Sequence, residues 1–532
     1  MSKHSVLLVL HAHLPFVRHP EHQRFLEERW LFEAISETYI PLLQMFERLE
    51  ADKIPFRLAI SFSSPLCQML HDDLLRNRYI AHLDKLIEFG SKEVERSESD
   101  TALHQLARYY YDKAIEDRVL FTERYEKDIL KAFDYYHKKG RLELLTGAAT
   151  HAFLPFLASH PEALQAQIEV AQTLHRTIFG RNPQGFWLPD LGWFPGIDEY
   201  LRSYNYSYTI VDTHAVLFGE PCPSRGTFAP MRTAQGLTIF SRDLASTREV
   251  WDKDTGYPAN PVYRDFYRDA GYDLPAELVQ EFLEYNGART QTGFKYYAVG
   301  KCGLEKKLYN SQEAGSQVKK DAQSFLDSRL QRGRKASNID KTDTSAVCAY
   351  DADLFGHWWF EGVQFLEELF RLGSANTFQE LSFTTPSDEL SRKAPSELDL
   401  ICPEFSSWGQ NGFAETWLDA SNDWTYRHIL RSIDRMIELA ERFPDEVGLK
   451  ERALNQAARE ILLSQSSDWA SLMHGQSSSD YGRSRVEDCI RNFTHIYDSL
   501  GGNYISTEWL TALEKRHNIF PQINYRIYRK KQ

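Results

Sequence analysis

The chain has 532 residues, 42% apolar and 26% charged, a balance ordinary for a folded globular protein and long enough for a large barrel with smaller modules. Its formal net charge of -13 leaves no basic surplus to neutralise phosphates, which argues against nucleic acid as a partner. In the opening MSKHSVLLVLHAHLP, five apolar residues run together before a histidine, too few for a signal h-region or a membrane span, so a cytoplasmic protein with no membrane partner is expected.

Short β-rich runs mark the first 390 residues: SVLLVL (5–10), FRLAISF (56–62), LELLTG (142–147), GFWL (185–188), YSYTIVD (206–212), LTIFSRD (237–243), AVCAYD (346–351) and LSFTT (381–385). Several are continuously apolar, as in strands buried on both faces of a parallel sheet. Helical patterns separate many of them. Over 161–179, Leu164, Ile168, Ala171, Leu174 and Ile178 share a face, with Pro161 in the opening turn and Gly180 just past the end. This alternation predicts an α/β fold, and the number of strands favours a barrel.

Two regions break the alternation. Residues 64–138 are charged and helical without a convincing strand, which predicts a helical insertion between two parts of a catalytic barrel, 1–63 and 139–400. From 401 to 532 the pattern is helical again, with Ile429, Ile433, Met436, Ile437 and Ala440 on one stripe, which predicts a helical C-terminal domain. The polar stretch QRGRKASNIDKTDTS (331–345) reads as a surface loop. The cysteines Cys67, Cys222, Cys302, Cys348, Cys402 and Cys489 form no CxxC pair and are read as free thiols.

In a β/α barrel the chemistry sits where strands end, so the polar residues directly after each strand are the candidates. They are His11 and His13 after the first, His151 after the third, Asp190 after the fourth, Asp212 and His214 after the fifth, Arg242 and Asp243 after the sixth, and Asp351, Asp353 and His357 after the seventh. Two chemistries fit this ring. One is metal-assisted hydrolysis, with the HxH pair and later histidines as zinc ligands. The other is glycoside chemistry, with one carboxylate as nucleophile or base and another as acid. Aromatic residues make up 13% of the chain, and Trp187, Trp193, Trp358, Trp359, Trp408 and Trp417 cluster around the carboxylate motifs. Aromatic faces with polar edges suit a sugar groove and are not needed for metal hydrolysis. Sugar chemistry is therefore favoured.

The blocks HAHLPFVRHP, GFWLPDLGWFPGIDEYL and YDADLFGHWWFEG resemble those of glycoside hydrolase family 57. WLFEAISETYIPLL, TGAATHAFLP, VDTHAVLFG, TGFKYY, SSWGQNGFAETWL and SQSSDW resemble, more narrowly, its 1,4-α-glucan branching enzymes. These nine blocks run in family order from residue 11 to residue 469. The resemblance implies a distorted seven-stranded β/α barrel with a helical insertion and a helical C-terminal domain, acting on α-glucan chains such as glycogen, amylose or starch by a retaining mechanism without metal or cofactor. It implies Asp190 as nucleophile and Asp351 as acid and base. It further implies His11, His13 and His151 as sugar-contacting groups, Trp30, Trp408 and Trp417 as stacking or groove-shaping aromatics, and Asp468 with Trp469 as a C-terminal contribution. Arg242 and Trp359 complete the candidate substrate-binding set. It also places a loop over the site within PSRGTFAPMRTAQG (223–236).

The family nucleophile is a glutamate in a WLPE block, whereas this chain has WLPD. The shorter side chain withdraws the carboxylate by about 1.5 Å. A more hydrolytic or weaker enzyme, a glucan-binding homologue without turnover, and an amylase or 4-α-glucanotransferase stay open beside the branching enzyme.

Overall fold

A computed structural model describes residues 3–283, 287–300, 307–340, 342–476 and 478–530. Its strands, in chain order, are β1 (His4–Ala12), β2 (Leu58–Phe62), β3 (Leu142–Leu145), β4 (Gly185–Phe186), β5 (Tyr208–Val211), β6 (Met231–Arg232), β7 (Thr238–Ser241), β8 (Thr344–Asp351), β9 (Leu381–Phe383) and β10 (Asp399–Leu400). β3, β2, β1 and β8 pair side by side, as do β4, β5 and β7, all parallel. Single parallel bridges, Thr146 to Phe186 and Arg242 to Val347, join the two groups at both edges. The result is a closed ring of seven parallel strands, the barrel that the run pattern predicts.

Burial on both strand faces explains the continuous apolar runs. Leu7 and Val9 of β1 point into the ring, where they meet Ala59, Leu145, Tyr208, Ile210, Phe240, Val347 and Ala349 from the other strands. Val6, Leu8 and Leu10 point outward into a larger core shared with the surrounding helices. The helix Pro161–Phe179 begins and ends as its sequence predicts, with Gly180 in the left-handed region at φ 71°.

Four α-helices, Ser64–Leu70, Asp73–Arg96, Thr101–Val119 and Ile129–Lys138, fill the stretch between β2 and β3. Asp72, Asp100 and Asp128 cap three of them by accepting backbone N–H groups. Phe89 and Tyr110 of this insertion share a small core with Phe282, Phe294 and Tyr296 from the long β7–β8 connection. Beyond β10, the chain forms the helices Trp424–Arg442, Leu449–Ser464, Ser467–Gly475, Ser479–Gly501 and Thr507–Arg516. Among the described residues, no helix is long and apolar enough to cross a membrane. Cys67, Cys222, Cys348, Cys402 and Cys489 are free thiols, and Cys302 lies outside the described residues.

Two expectations fail. The stretch read as a loop at 331–345 is mostly helix, the end of Ser311–Asp340, followed by the start of β8; residue 341 lies outside the described residues. Ala314, Val318, Ala322, Phe325, Leu326 and Leu330 form that helix's buried stripe, and the polar end simply continues it. Nor does segment 223–236 cover the site. The Phe228 carbonyl accepts from the Ser345 N–H, and β6 pairs with the first residues of β7, so this segment lies at the N-terminal ends of the strands.

Candidate active site

β1 and β8 run in register so that His11 stands beside Asp351 at their C-terminal ends. β4 breaks off after Phe186 and the chain turns sharply. Asp190 adopts the left-handed region at φ 56° and Leu191 follows at φ 50°. Two backbone contacts hold this turn: Leu191 N–H donates to Leu188, and the Asp190 carbonyl accepts from Trp408 N–H at 2.8 Å. The conformation is costly for residues with a Cβ, and such strain gathers at functional sites.

The three histidines interlock beside this turn. The His11 and His151 Nε2 atoms are hydrogen-bonded at 2.9 Å, and His13 stacks on His151 with ring centroids 3.8 Å apart. His11 in turn stacks on Trp187 at 4.5 Å. The C-terminal helices complete the cluster. Ser466 pairs with Ala152 in a bridge, Ser467 Oγ meets His151 Nδ1 at 3.0 Å, and Asp468 accepts from His13 Nε2 at 2.8 Å. Ser63 holds the other nitrogen of His13 at 2.8 Å. Arg242 is paired with Asp212 and lies over Trp408, 5.6 Å from the ring centre.

The charges are set by burial. Burial pushes the Asp190 carboxyl up to about 7, helped by the Asp468 charge and partly offset by Ser467, His13 and Trp408. Asp351 is held well above the usual carboxylate range by burial, then by the charges of Asp353 and Asp190. Burial holds His11 and His151 well below the ordinary histidine value, so both are neutral near pH 7. Burial opposes ionisation of Asp468 too, but the adjacent His13 brings it down to about 2.

Several buried polar atoms here have no protein partner: Asp190 Oδ2, His11 Nδ1, Trp187 Nε1 and Arg242 Nε. Buried polar atoms are normally paired, so their convergence marks a place for a polar ligand. Candidate ligand atoms of His11, His13 and His151 also lie within 4.8 Å of one another, close enough for a divalent ion. The His11–His151 bond and the His13–Asp468 pair satisfy those nitrogens within the protein itself.

Other predicted positions divide sharply. Trp30 and Trp408 are partly exposed, whereas Trp417 is buried and stacks on Phe153 at 5.2 Å, so it shapes a wall. Trp359 and Trp469 cannot offer a face to a ligand, which corrects the expectation for both. Trp359 is 1% exposed among Tyr257, Tyr263 and Phe365, and Trp469 is 1% exposed with its indole N–H donated to the Leu463 carbonyl. Several strand-end residues are structural. Asp212 and Asp243 cap the helices Thr213–Leu217 and Leu244–Trp251, and His357 pairs with Glu37 at 2.7 Å. Ser467, between His151 and Asp190, lies within the SQSSDW block, but the sequence gives it no role of its own, because a serine in a serine-rich stretch carries no pattern.

A barrel of seven parallel strands, with one buried and one half-buried carboxylate and three histidines at its C-terminal rim, has the architecture of a glycoside-processing enzyme. The family model for glycosyl hydrolase family 57 matches residues 7–400, and that for the C-terminal region of 1,4-α-glucan branching enzymes matches residues 428–528. The chain belongs to glycosyl hydrolase family 57. It is 28% identical to a 1,4-α-glucan branching enzyme of Thermococcus kodakarensis, over 97% of this chain and 77% of that protein. Among solved structures, the α-amylase AmyC of Thermotoga maritima is 38% identical with a TM-score of 0.93, covering 100% of both chains. The GH57-type branching enzyme of Pyrococcus horikoshii is 27% identical with a TM-score of 0.89, covering 99% of this chain and 97% of that one.

Proposed function

We propose that the protein is a retaining α-glucan-transferring enzyme that cleaves an α-1,4 bond and forms an α-1,6 branch. Asp190, ionised, attacks the anomeric carbon while Asp351 gives its proton to the departing glycosidic oxygen; the glycosyl group is then bonded to Asp190. Asp351, now a carboxylate, takes the proton from the 6-hydroxyl of an acceptor chain as that oxygen displaces Asp190 from the same carbon. Water in place of the acceptor gives hydrolysis. Burial and the charges of Asp353 and Asp190 favour the proton on Asp351, whereas Ser467, His13 and Trp408 favour the ionised form of Asp190, the division of labour the reaction needs.

His11, His13 and His151 bind sugar hydroxyls as neutral or paired rings, and Arg242 offers its free N–H beside Asp351. Trp30 and Trp408 offer faces to the sugar, and Trp417 supports the wall. Asp468 orients His13. The observation that carries this reading is the pairing of buried Asp190 with half-buried Asp351 at the rim of a family 57 barrel whose C-terminal region matches the branching-enzyme model.

A second reading, a hydrolytic amylase, is favoured by the 38% identity to AmyC over the whole chain. Incubation with amylose separates the two. The branching reading predicts new α-1,6 signals by proton NMR exceeding the reducing ends released. Reducing ends without branches would establish the amylase, and neither product would remove both readings.

A further inference from the structure

The sequence HWW at 357–359 places two tryptophans side by side, and the fold sends them in opposite directions. Trp359 is core, whereas Trp358 is 47% exposed, unusual for the largest apolar side chain. Trp358 is nevertheless held in place. Its indole N–H donates to Asp353 Oδ2 at 3.3 Å, its backbone N–H donates to the Asp353 carbonyl at 3.1 Å, and the His357 ring meets it edge-on at 5.2 Å. Phe266 lies against it with ring centres 4.3 Å apart, and Tyr267, 78% exposed, extends the aromatic surface from Phe266.

The anchor ties this surface to the chemistry. Asp353 follows Asp351 by two residues, is among the charges that hold the Asp351 proton, and itself feels His13. The indole therefore stands at the rim on the side of the group that protonates the leaving chain and later deprotonates the acceptor.

We propose that Trp358, supported by Phe266 and anchored by Asp353, is the stacking platform for the acceptor α-glucan chain and so sets the balance between transfer and hydrolysis. This rests on the function proposed above. A glucose ring presents an apolar C–H face, which a fixed indole matches at little entropic cost. Occupying this surface brings the acceptor hydroxyl to Asp351 and displaces water from the same approach. Both effects favour transfer.

The test compares wild type, Trp358→Ala, Trp358→Phe and, as a remote control, Tyr504→Ala, whose side chain is exposed in the connection between the helices Ser479–Gly501 and Thr507–Arg516. Branches formed and reducing ends released from amylose are counted together. Trp358→Ala is expected to lower the transfer-to-hydrolysis ratio about tenfold, mainly by raising KM for acceptor chains. Trp358→Phe should recover most of the ratio and Tyr504→Ala should match wild type. In an Asp190→Asn background, which binds without turning over, Trp358→Ala should weaken maltoheptaose binding about tenfold. An equal fall in transfer and hydrolysis would put the platform on the donor side and overturn the proposal. So would a ratio and an affinity within twofold of the parent. A wild type that neither binds nor turns over α-glucan would instead refute the function on which the proposal rests.

Discussion

Asp190 combines a left-handed backbone, near-complete burial and a carboxyl pushed up to about 7. A folded-state value above the unfolded one means that the native protein holds this proton more tightly. The associated stability is fully present below about pH 4 and is lost as pH rises through 7. Asp190→Asn is therefore expected to raise Tm by a few °C at pH 8 and not at pH 4, while lowering kcat on the order of 10⁴-fold or more. A variant with unchanged Tm at both pH values would show that the carboxyl is solvated. For activity, the acid limb of kcat/KM should fall as pH drops through about 7, because Asp190 must be ionised to attack. Asp190→Glu, which restores the missing methylene, should keep activity within about tenfold of the parent. The histidines bind sugar in this account, so purified protein should carry no stoichiometric zinc, and a chelator should leave turnover unchanged; loss on chelation and recovery with zinc would reassign His11, His13 and His151 as ligands.

At the scale of elements, the rule that chemistry follows strand ends selects Asp190, Asp351, His11, His13 and His151, which the structure gathers at one rim, because apolar runs locate strands directly. The same rule also selects Asp212 and Asp243, which cap helices, since a cap and a catalytic carboxylate occupy the same kind of position. Trp359 and Trp469 are misjudged because a sequence lists aromatic rings without showing which way they face. The end of helix Ser311–Asp340 reads as a loop because its exposed face is polar and it contains Gly333. That glycine is needed for space: a Cβ there would lie 2.6 Å from the His4 ring. Alanine in mid-helix ordinarily stabilises by about 1 kcal/mol relative to glycine. Gly333→Ala should reverse the sign and destabilise by about 1–3 kcal/mol, read as a lowered denaturation midpoint. A raised midpoint would mean that helix and strand have room to separate.

Across the whole molecule, the site is assembled from segments far apart in sequence. His13 near the start is held by Asp468 in the C-terminal helices, and Asp190 is braced by the backbone of Trp408. The C-terminal region is thus part of the site, which explains why SQSSDW belongs among the recognisable blocks although no periodicity reveals it. Asp468→Asn removes the charge that fixes His13 and is expected to lower kcat/KM about 10- to 100-fold; because a carboxyl held down at about 2 stabilises the fold above about pH 4, Tm should also fall by a few °C at pH 7 and not at pH 2. Activity equal to wild type would detach the C-terminal helices from the chemistry. Trapping the intermediate tests most directly whether Asp190 acts as nucleophile and Asp351 as acid and base. An Asp351→Ala variant, given an α-maltosyl fluoride donor that needs no protonation to leave, should accumulate protein heavier by one maltosyl group. Peptide mass spectrometry should place that group on Asp190. A donor consumed with no adduct, or an adduct on a different residue, would contradict the account.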